Sequence, residues 1–229
     1  VSRSIDQQKL SNWYNFQARF YHLWRDDYDD PLIERVAAGL APAGKQAAVL
    51  DAGCGTGLFA IGLARVRSGW SIEAIDAAEG MLAVGARQAR RLRLENVAFQ
   101  RGDVAAMPFR DDSFHGIVAA GLFPNLGDWT GPLAELHRVL APGGRLAVVE
   151  VNRAAMSAAL RLFVRVMIFG YRVFSTLMPR FRFAKRWSLQ TSTVDAERLA
   201  GQARAAGFSE SSPARHGNWL VLWFEKGTA

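Results

Sequence analysis

The sequence predicts an α/β fold: a mostly parallel sheet, helices on both faces, and an antiparallel strand at the C-terminal end. Three observations predict it. Short apolar runs alternate with helical periodicity between residues 47 and 151, the pattern of parallel strands joined by right-handed crossovers. A glycine-rich turn, Asp51-Ala52-Gly53-Cys54-Gly55-Thr56-Gly57, stands between the first of those strands and its helix. The chain ends on an apolar run, Gly217 to Phe224, next to Pro213 to His216, which predicts a closing hairpin and an antiparallel edge strand.

The elements follow in order. Trp13, Phe16, Phe20 and Trp24 recur at helical spacing and predict a helix over 6–25. Asp26 to Pro31 breaks it, and 32–40 reads as a second, short helix. Ala47 to Leu50 is a strand, and helical periodicity then runs to about Val66. Ser71 to Ile75 is a strand ending at Asp76, with a helix over 79–93 behind it. Val97 to Gln100 and Gly116 to Ala120 are strands, and Asp103 lies just beyond the former. Thr130 to Leu140 is a helix stopped by Pro142-Gly143-Gly144, and Leu146 to Val151 is the next strand. Residues 154–178 read as a long helix and 194–206 as another, ended by Gly207.

Composition narrows the possibilities. The 229 residues, half of them hydrophobic and 21% charged, suit one globular domain and exclude long disorder. One cysteine, Cys54, excludes an intrachain disulfide and a cysteine-based zinc site, so no metal is expected. The cytoplasm is the expected compartment. The net charge of +7 is local: eight basic residues and no acid lie between 151 and 194, leaving 20 basic against 21 acidic residues elsewhere. Leu160 to Met178 is long enough to span a bilayer but carries Arg161, Arg165 and Arg172, so it is not read as transmembrane.

Ligands of such sheets bind beyond the carboxyl ends of the strands, where the notable residues of this chain gather. Gly53, Gly55 and Gly57 permit a tight turn and close approach of a ligand. Asp76 is placed to accept hydrogen bonds from ribose hydroxyls. Asp103 can accept from an adenine amine, and the Val104 N–H can reach a ring nitrogen. The glycines alone also fit a dinucleotide fingerprint. Asp51 and Asp103 shift the balance, because a pyrophosphate calls for donors and this crevice offers acceptors. S-adenosylmethionine carries a sulfonium and an ammonium and no phosphate, so acidic walls suit it.

On these residues the sequence resembles the class I S-adenosylmethionine-dependent methyltransferases, a Rossmann-like fold. The matching segments are Val49–Ala64, Ile72–Leu82, Phe99–Ile117 and Leu136–Val151. The resemblance implies cofactor contacts at Asp51, Gly53, Gly55, Gly57, Asp76 and Asp103. Ala77 and Met81 match positions that line the adenine pocket, and Tyr14 and Tyr21 match tyrosines that close the site. It implies a single domain: an N-terminal helical cap (1–45), a cofactor-binding core (46–151), a basic apolar helical lid (152–193), and a last helix with closing strands (194–229). One departure is visible: His115 stands where the family usually has Asp, at an architectural position.

The nearest group by resemblance is that of the ubiquinone/menaquinone-biosynthesis C-methyltransferases. It implies a hydrophobic small-molecule or lipid-like acceptor, with a quinone precursor as one form. A phospholipid or aromatic metabolite methylated on N or O is the alternative, and a non-catalytic binding module the third reading. Arg161, Arg165 and Arg172 fall within about 40° on a helix whose other residues are largely apolar. Such a helix suits a greasy site or a membrane edge, so peripheral membrane contact through 156–187 is expected and nucleic acid is not. Asn125, Phe123, Phe163 and Met167 are the candidate substrate residues. His22, His137 and His216 are candidate bases, and no catalytic residue is assigned.

Overall fold

The structure is a computed structural model that describes residues 14–15, 30–41, 46–151, 166, 194–217 and 219–228. Apart from residues 14–15 and 166, the expected helices over 6–25 and 154–178 and the lid at 152–193 lie outside those residues, as does most of the cap. Five helices are described: α1 (Asp30–Leu40), α2 (Leu58–Val66), α3 (Glu79–Arg91), α4 (Thr130–Val139) and α5 (Ala196–Ala205). Seven strands form one sheet: β1 (Ala47–Ala52), β2 (Trp70–Asp76), β3 (Val97–Arg101), β4 (Phe114–Ala120), β5 (Leu140–Val151), β6 (Phe208–His216) and β7 (Trp219–Lys226).

The strand order is β3-β2-β1-β4-β5-β7-β6. All neighbours from β3 to β5 run parallel. β7 is antiparallel to both β5 and β6. The antiparallel strand is therefore C-terminal, as the hairpin predicts, but it lies one place in from the edge. β6 takes the edge, with a register shift between Ser211 and Ala214 around Pro213. A proline there suits an edge strand, where its missing N–H breaks few ladder bonds.

Strands of a parallel sheet are buried on both faces, and here each face has its own core. Val49, Val118, Ala147 and Val149 meet Leu32 and Val36 of α1 and Phe59 and Leu63 of α2. Leu50, Ile117, Leu146 and Val148 meet Leu133 and Leu136 of α4 and Leu199 and Ala203 of α5. The alternation along β1, β4 and β5 sorts neighbouring side chains between the two layers. Phe59 through Ala64 of α2 are all buried, so this short helix rests on packing rather than on an amphipathic stripe.

Two details differ from the sequence expectation. The turn at Pro142-Gly143-Gly144 falls inside β5, where pairing with β4 jumps from Phe114–Leu140 to Gly116–Arg145 and Gly143 takes φ 73. α4 accordingly ends at Val139. His115 sits at this irregularity, where its Nδ1 accepts the Ala48 backbone N–H at 3.1 Å. The side chain thus supplies an acceptor where β1 begins, an architectural role. No helix among the described residues is long and apolar enough to cross a membrane.

Candidate functional site

β1 lies between β2 and β4, and the chain leaves β1 toward α2 on one face of the sheet and β4 toward α4 on the other. That divergence opens a crevice at their carboxyl ends. A cleft of about 980 Å³, counting its open mouth, fills it.

The floor is the loop from Asp51 to Gly57. Gly53, Gly55 and Gly57 have φ of 70, 56 and 74, a left-handed conformation that other residues adopt only with strain. The end of β2 holds this loop. The Ile75 carbonyl accepts the N–H groups of Gly53 (2.8 Å) and Cys54 (3.0 Å). Asp76 Oδ2 accepts the Gly55 N–H at 2.8 Å, and its Oδ1 accepts the Ala78 N–H at 2.8 Å. The Gly57 N–H goes to the Cys54 carbonyl at 2.8 Å. The N–H groups of Gly53, Cys54, Gly55 and Gly57 are thus bonded within the protein.

The charges on the walls have one sign. Asp51, Asp76 and Asp103 line the cleft, and no Lys, Arg or His is among the described lining residues. Asp51 is only 1% exposed, and its Oδ2 accepts the Ala60 N–H at 2.9 Å. Burial pushes its pKa up to about 7; the Ala60 bond opposes this, and the negative charge of Asp76 adds to it. Burial also raises Asp76, against the opposing hydrogen bonds from Ala78, Gly55 and Ala77. Asp103 Oδ1 accepts the Ala105 N–H at 2.9 Å, which fixes the turn after β3.

Above the floor the cleft is closed by residues distant in sequence. The Tyr14 hydroxyl donates to Asn125 Oδ1 at 2.9 Å. Asn125 Nδ2 donates in turn to the Gly121 carbonyl at 2.8 Å. Beside Tyr14, Asn15 Oδ1 accepts the Gly80 N–H at 2.7 Å. α3 has no side-chain cap of its own at Ala78, so Asn15 satisfies one of its open N–H groups. A Cβ on Gly80 would stand 2.9 Å from Asn15 Oδ1 and 3.2 Å from its Cα.

Of the residues expected at the site, Tyr14, Asp51, Gly53, Gly55, Asp76, Ala77, Met81, Asp103, Val104 and Asn125 line one cleft. Tyr21, Phe163, Met167 and His22 lie outside the described residues. Gly57 is set beneath the floor: a Cβ there would collide with the Phe99 ring, so this glycine serves packing and the turn. Phe123 is a correction. Expected beside a substrate, it is fully buried and stacks edge-on against Trp129 at 5.7 Å, because the turn after β4 directs it into the α4–α5 core.

The candidate bases fare no better. His137 packs edge-on against Phe208 at 4.9 Å, in the last turn of α4. Burial and the nearby Lys226 hold its pKa down. His216, at the end of β6, is not among the residues lining the cleft. Asn15, Thr56, Leu122 and Leu126 were not singled out from the sequence. Thr56, Leu122 and Leu126 line the cleft, and Asn15 braces it. Thr56 lay within the glycine motif, whereas nothing local marked the others.

A family model described as a methyltransferase domain matches residues 49–144. The chain is 36% identical over 165 residues to a demethylmenaquinone methyltransferase of Thermus thermophilus, covering 70% of this chain and 74% of the relative. It is 30% identical over 212 residues to one from Staphylococcus aureus, covering 91% and 81%. Among solved structures, the cyclase SpnF superposes with a TM-score of 0.74 at 19% identity, covering 99% and 98%. A Haemonchus contortus phosphoethanolamine N-methyltransferase, solved with phosphomonomethylethanolamine and S-adenosylhomocysteine, gives 0.67 at 14% identity, covering 97% and 60%. At these identities the structural likeness is one of fold.

The cleft fits S-adenosylmethionine. Its acids suit a cationic ligand, and the N–H groups of Gly53, Cys54, Gly55 and Gly57 are taken. Gly55 leaves room for a ligand, since a Cβ there meets no atom within 4 Å.

Two predictions follow from this geometry. A carboxyl whose pKa is higher folded than unfolded binds more protons when folded. The stability it contributes is therefore full below about pH 4 and is lost as pH rises to about 7. Asp51→Asn should melt at least about 3 °C above the ligand-free parent at pH 8, with the gap closing toward pH 4; equal melting at pH 8 would refute the burial argument. Gly80→Ala should help an isolated helix yet displace Asn15. Its affinity for S-adenosylhomocysteine, measured by calorimetry, should fall about tenfold with melting unchanged or raised.

Proposed function

The chain belongs to the class I S-adenosylmethionine-dependent methyltransferases, and from that premise we propose that it methylates a hydrophobic, lipid-like acceptor, a quinone precursor related to demethylmenaquinone. One observation carries the quinone reading: 30–36% identity to demethylmenaquinone methyltransferases over 70–91% of this chain.

S-adenosylmethionine is the cofactor, and when bound it supplies a methyl group on a sulfonium already activated for transfer. The work left to the protein is alignment and the exclusion of water. In this reading Asp76 accepts the ribose hydroxyls. Both its oxygens are pinned by backbone N–H groups, yet each carboxylate oxygen can accept a second bond. Asp51 places negative charge beneath the cationic end of the ligand. Ala77 and Met81 pack against the adenine, Asp103 accepts from its amine, and the Val104 N–H meets a ring nitrogen. Tyr14 and Asn125 close the mouth, and the wall of Gly121, Leu122 and Leu126 faces the acceptor. No general base is needed to activate the methyl group, and none is assigned for the acceptor.

We also propose a cytoplasmic protein that meets the membrane through 156–187, a stretch whose sequence joins arginines to apolar residues and contains no acid. Nucleic acid is not a partner in this reading.

The acceptor is tested directly. With a prenylated 1,4-naphthoquinol under reducing conditions, label from the cofactor's methyl group should appear on the ring. Absence of transfer by a protein that binds S-adenosylhomocysteine would sink the quinone reading and leave the family intact. In flotation with phosphatidylglycerol vesicles, the parent should rise with the lipid. Charge reversal at Arg161, Arg165 and Arg172 should leave it at the bottom, and co-flotation of both would remove the segment's role.

A further inference from the structure

We infer that Trp129 is a positioning residue for the cleft: it holds the turn that carries Asn125, and through Asn125 the Tyr14 contact across the mouth. The inference rests on the reading of this cleft as the cofactor site.

Trp129 does not line the cleft. It is the N-terminal boundary residue of α4 and is 7% exposed. Its Nε1–H donates to the Phe123 carbonyl at 2.9 Å, and its ring meets Phe123 edge-on at 81°. Phe123 opens the short 3₁₀ turn Phe123–Asn125. The same carbonyl also receives the Leu126 N–H at 3.2 Å. A 3₁₀ turn of three residues has few bonds of its own and takes its shape from what surrounds it. The indole N–H is the strong, buried donor that locates this one.

What the turn carries is the upper wall. Leu122 and Leu126 flank it and line the cleft, and Leu122 Cδ1 would stand 2.6 Å from a Cβ on Gly53. Asn125 receives Tyr14 at 2.9 Å. A shift of about 1 Å at Asn125 would break that bond, since a donor–acceptor distance near 3.6 Å is no longer a hydrogen bond. The indole is itself held from outside: the guanidinium carbon of Arg198, in the first turn of α5, lies 4.5 Å from its ring centroid. The side chain thus links α5 to the turn behind this wall of the cleft.

The test is a cycle of variants of the full chain, with S-adenosylhomocysteine as the calorimetric probe. Trp129→Phe keeps an aromatic ring and removes the N–H; it should weaken binding about tenfold, as should Asn125→Ala. If Trp129 acts through Asn125, the double variant should be no more than about twofold weaker than the weaker single one. Leu136→Ala, a change in the same core, should lower the melting temperature while weakening binding no more than about twofold. Parent-like binding by Trp129→Phe, multiplied effects in the double variant, or equal weakening by Leu136→Ala would each overturn the inference. Should Trp129→Phe fail to fold, the exposed change Arg198→Ala decides: about twofold weaker binding at an unchanged melting temperature supports the link, and unchanged binding overturns it. A parent protein that does not bind the probe overturns the cleft assignment as well.

Discussion

The carboxyl end of β2 holds the site together. Ile75 and Asp76 bind three consecutive N–H groups of the loop after β1, those of Gly53, Cys54 and Gly55. The loop has little structure of its own, and its left-handed glycines cost backbone entropy to order. Register supplies the remedy: Ala52 pairs with Ile75, so the loop leaves β1 beside the residues that receive it. Donors committed to Asp76 and Ile75 are not offered to a ligand.

Acidity has a cost that the ligand can relieve. Asp51 and Asp76 are buried near each other, and burial raises both pKa values. In the ligand-free protein this works against ionisation. A cation in the cleft reverses the balance, since it favours the ionised carboxylates in a site of low dielectric. The neighbouring Cys54 thiol feels the same field: burial, then Asp51 and Asp76, raise its pKa and keep it protonated.

The fold by itself does not choose the reaction. A cyclase and a phosphoethanolamine N-methyltransferase superpose on this chain with similar agreement. What distinguishes such proteins is grafted on the sheet edge, here the turn after β4 and Tyr14. Those parts come from loops and insertions, which tolerate change where the strands beneath do not.

The sequence by itself determined the sheet, the acidic floor and the class of cofactor. These rest on signals that are local: alternating periodicity, glycines at every second position of one turn, and an acid at or just beyond the end of each of three successive strands. Asp51, Asp76 and Asp103 converge because parallel strands put their carboxyl ends on one edge, whatever the details of packing. Tertiary structure decided what depends on side-chain direction and on contacts between distant segments. Phe123 and Asn125 are two residues apart, yet one enters the core and the other faces Tyr14 across a separation of 111 positions. Asn15 caps a helix that begins 64 residues later, a partnership no spacing rule contains. β7 lies inside β6 because its apolar run, with Val221, Leu222 and Phe224 buried, is the strand able to sit between two others. Pairing order and rotamer are settled only when the whole chain competes for the same core, and that competition is absent from any local window of sequence.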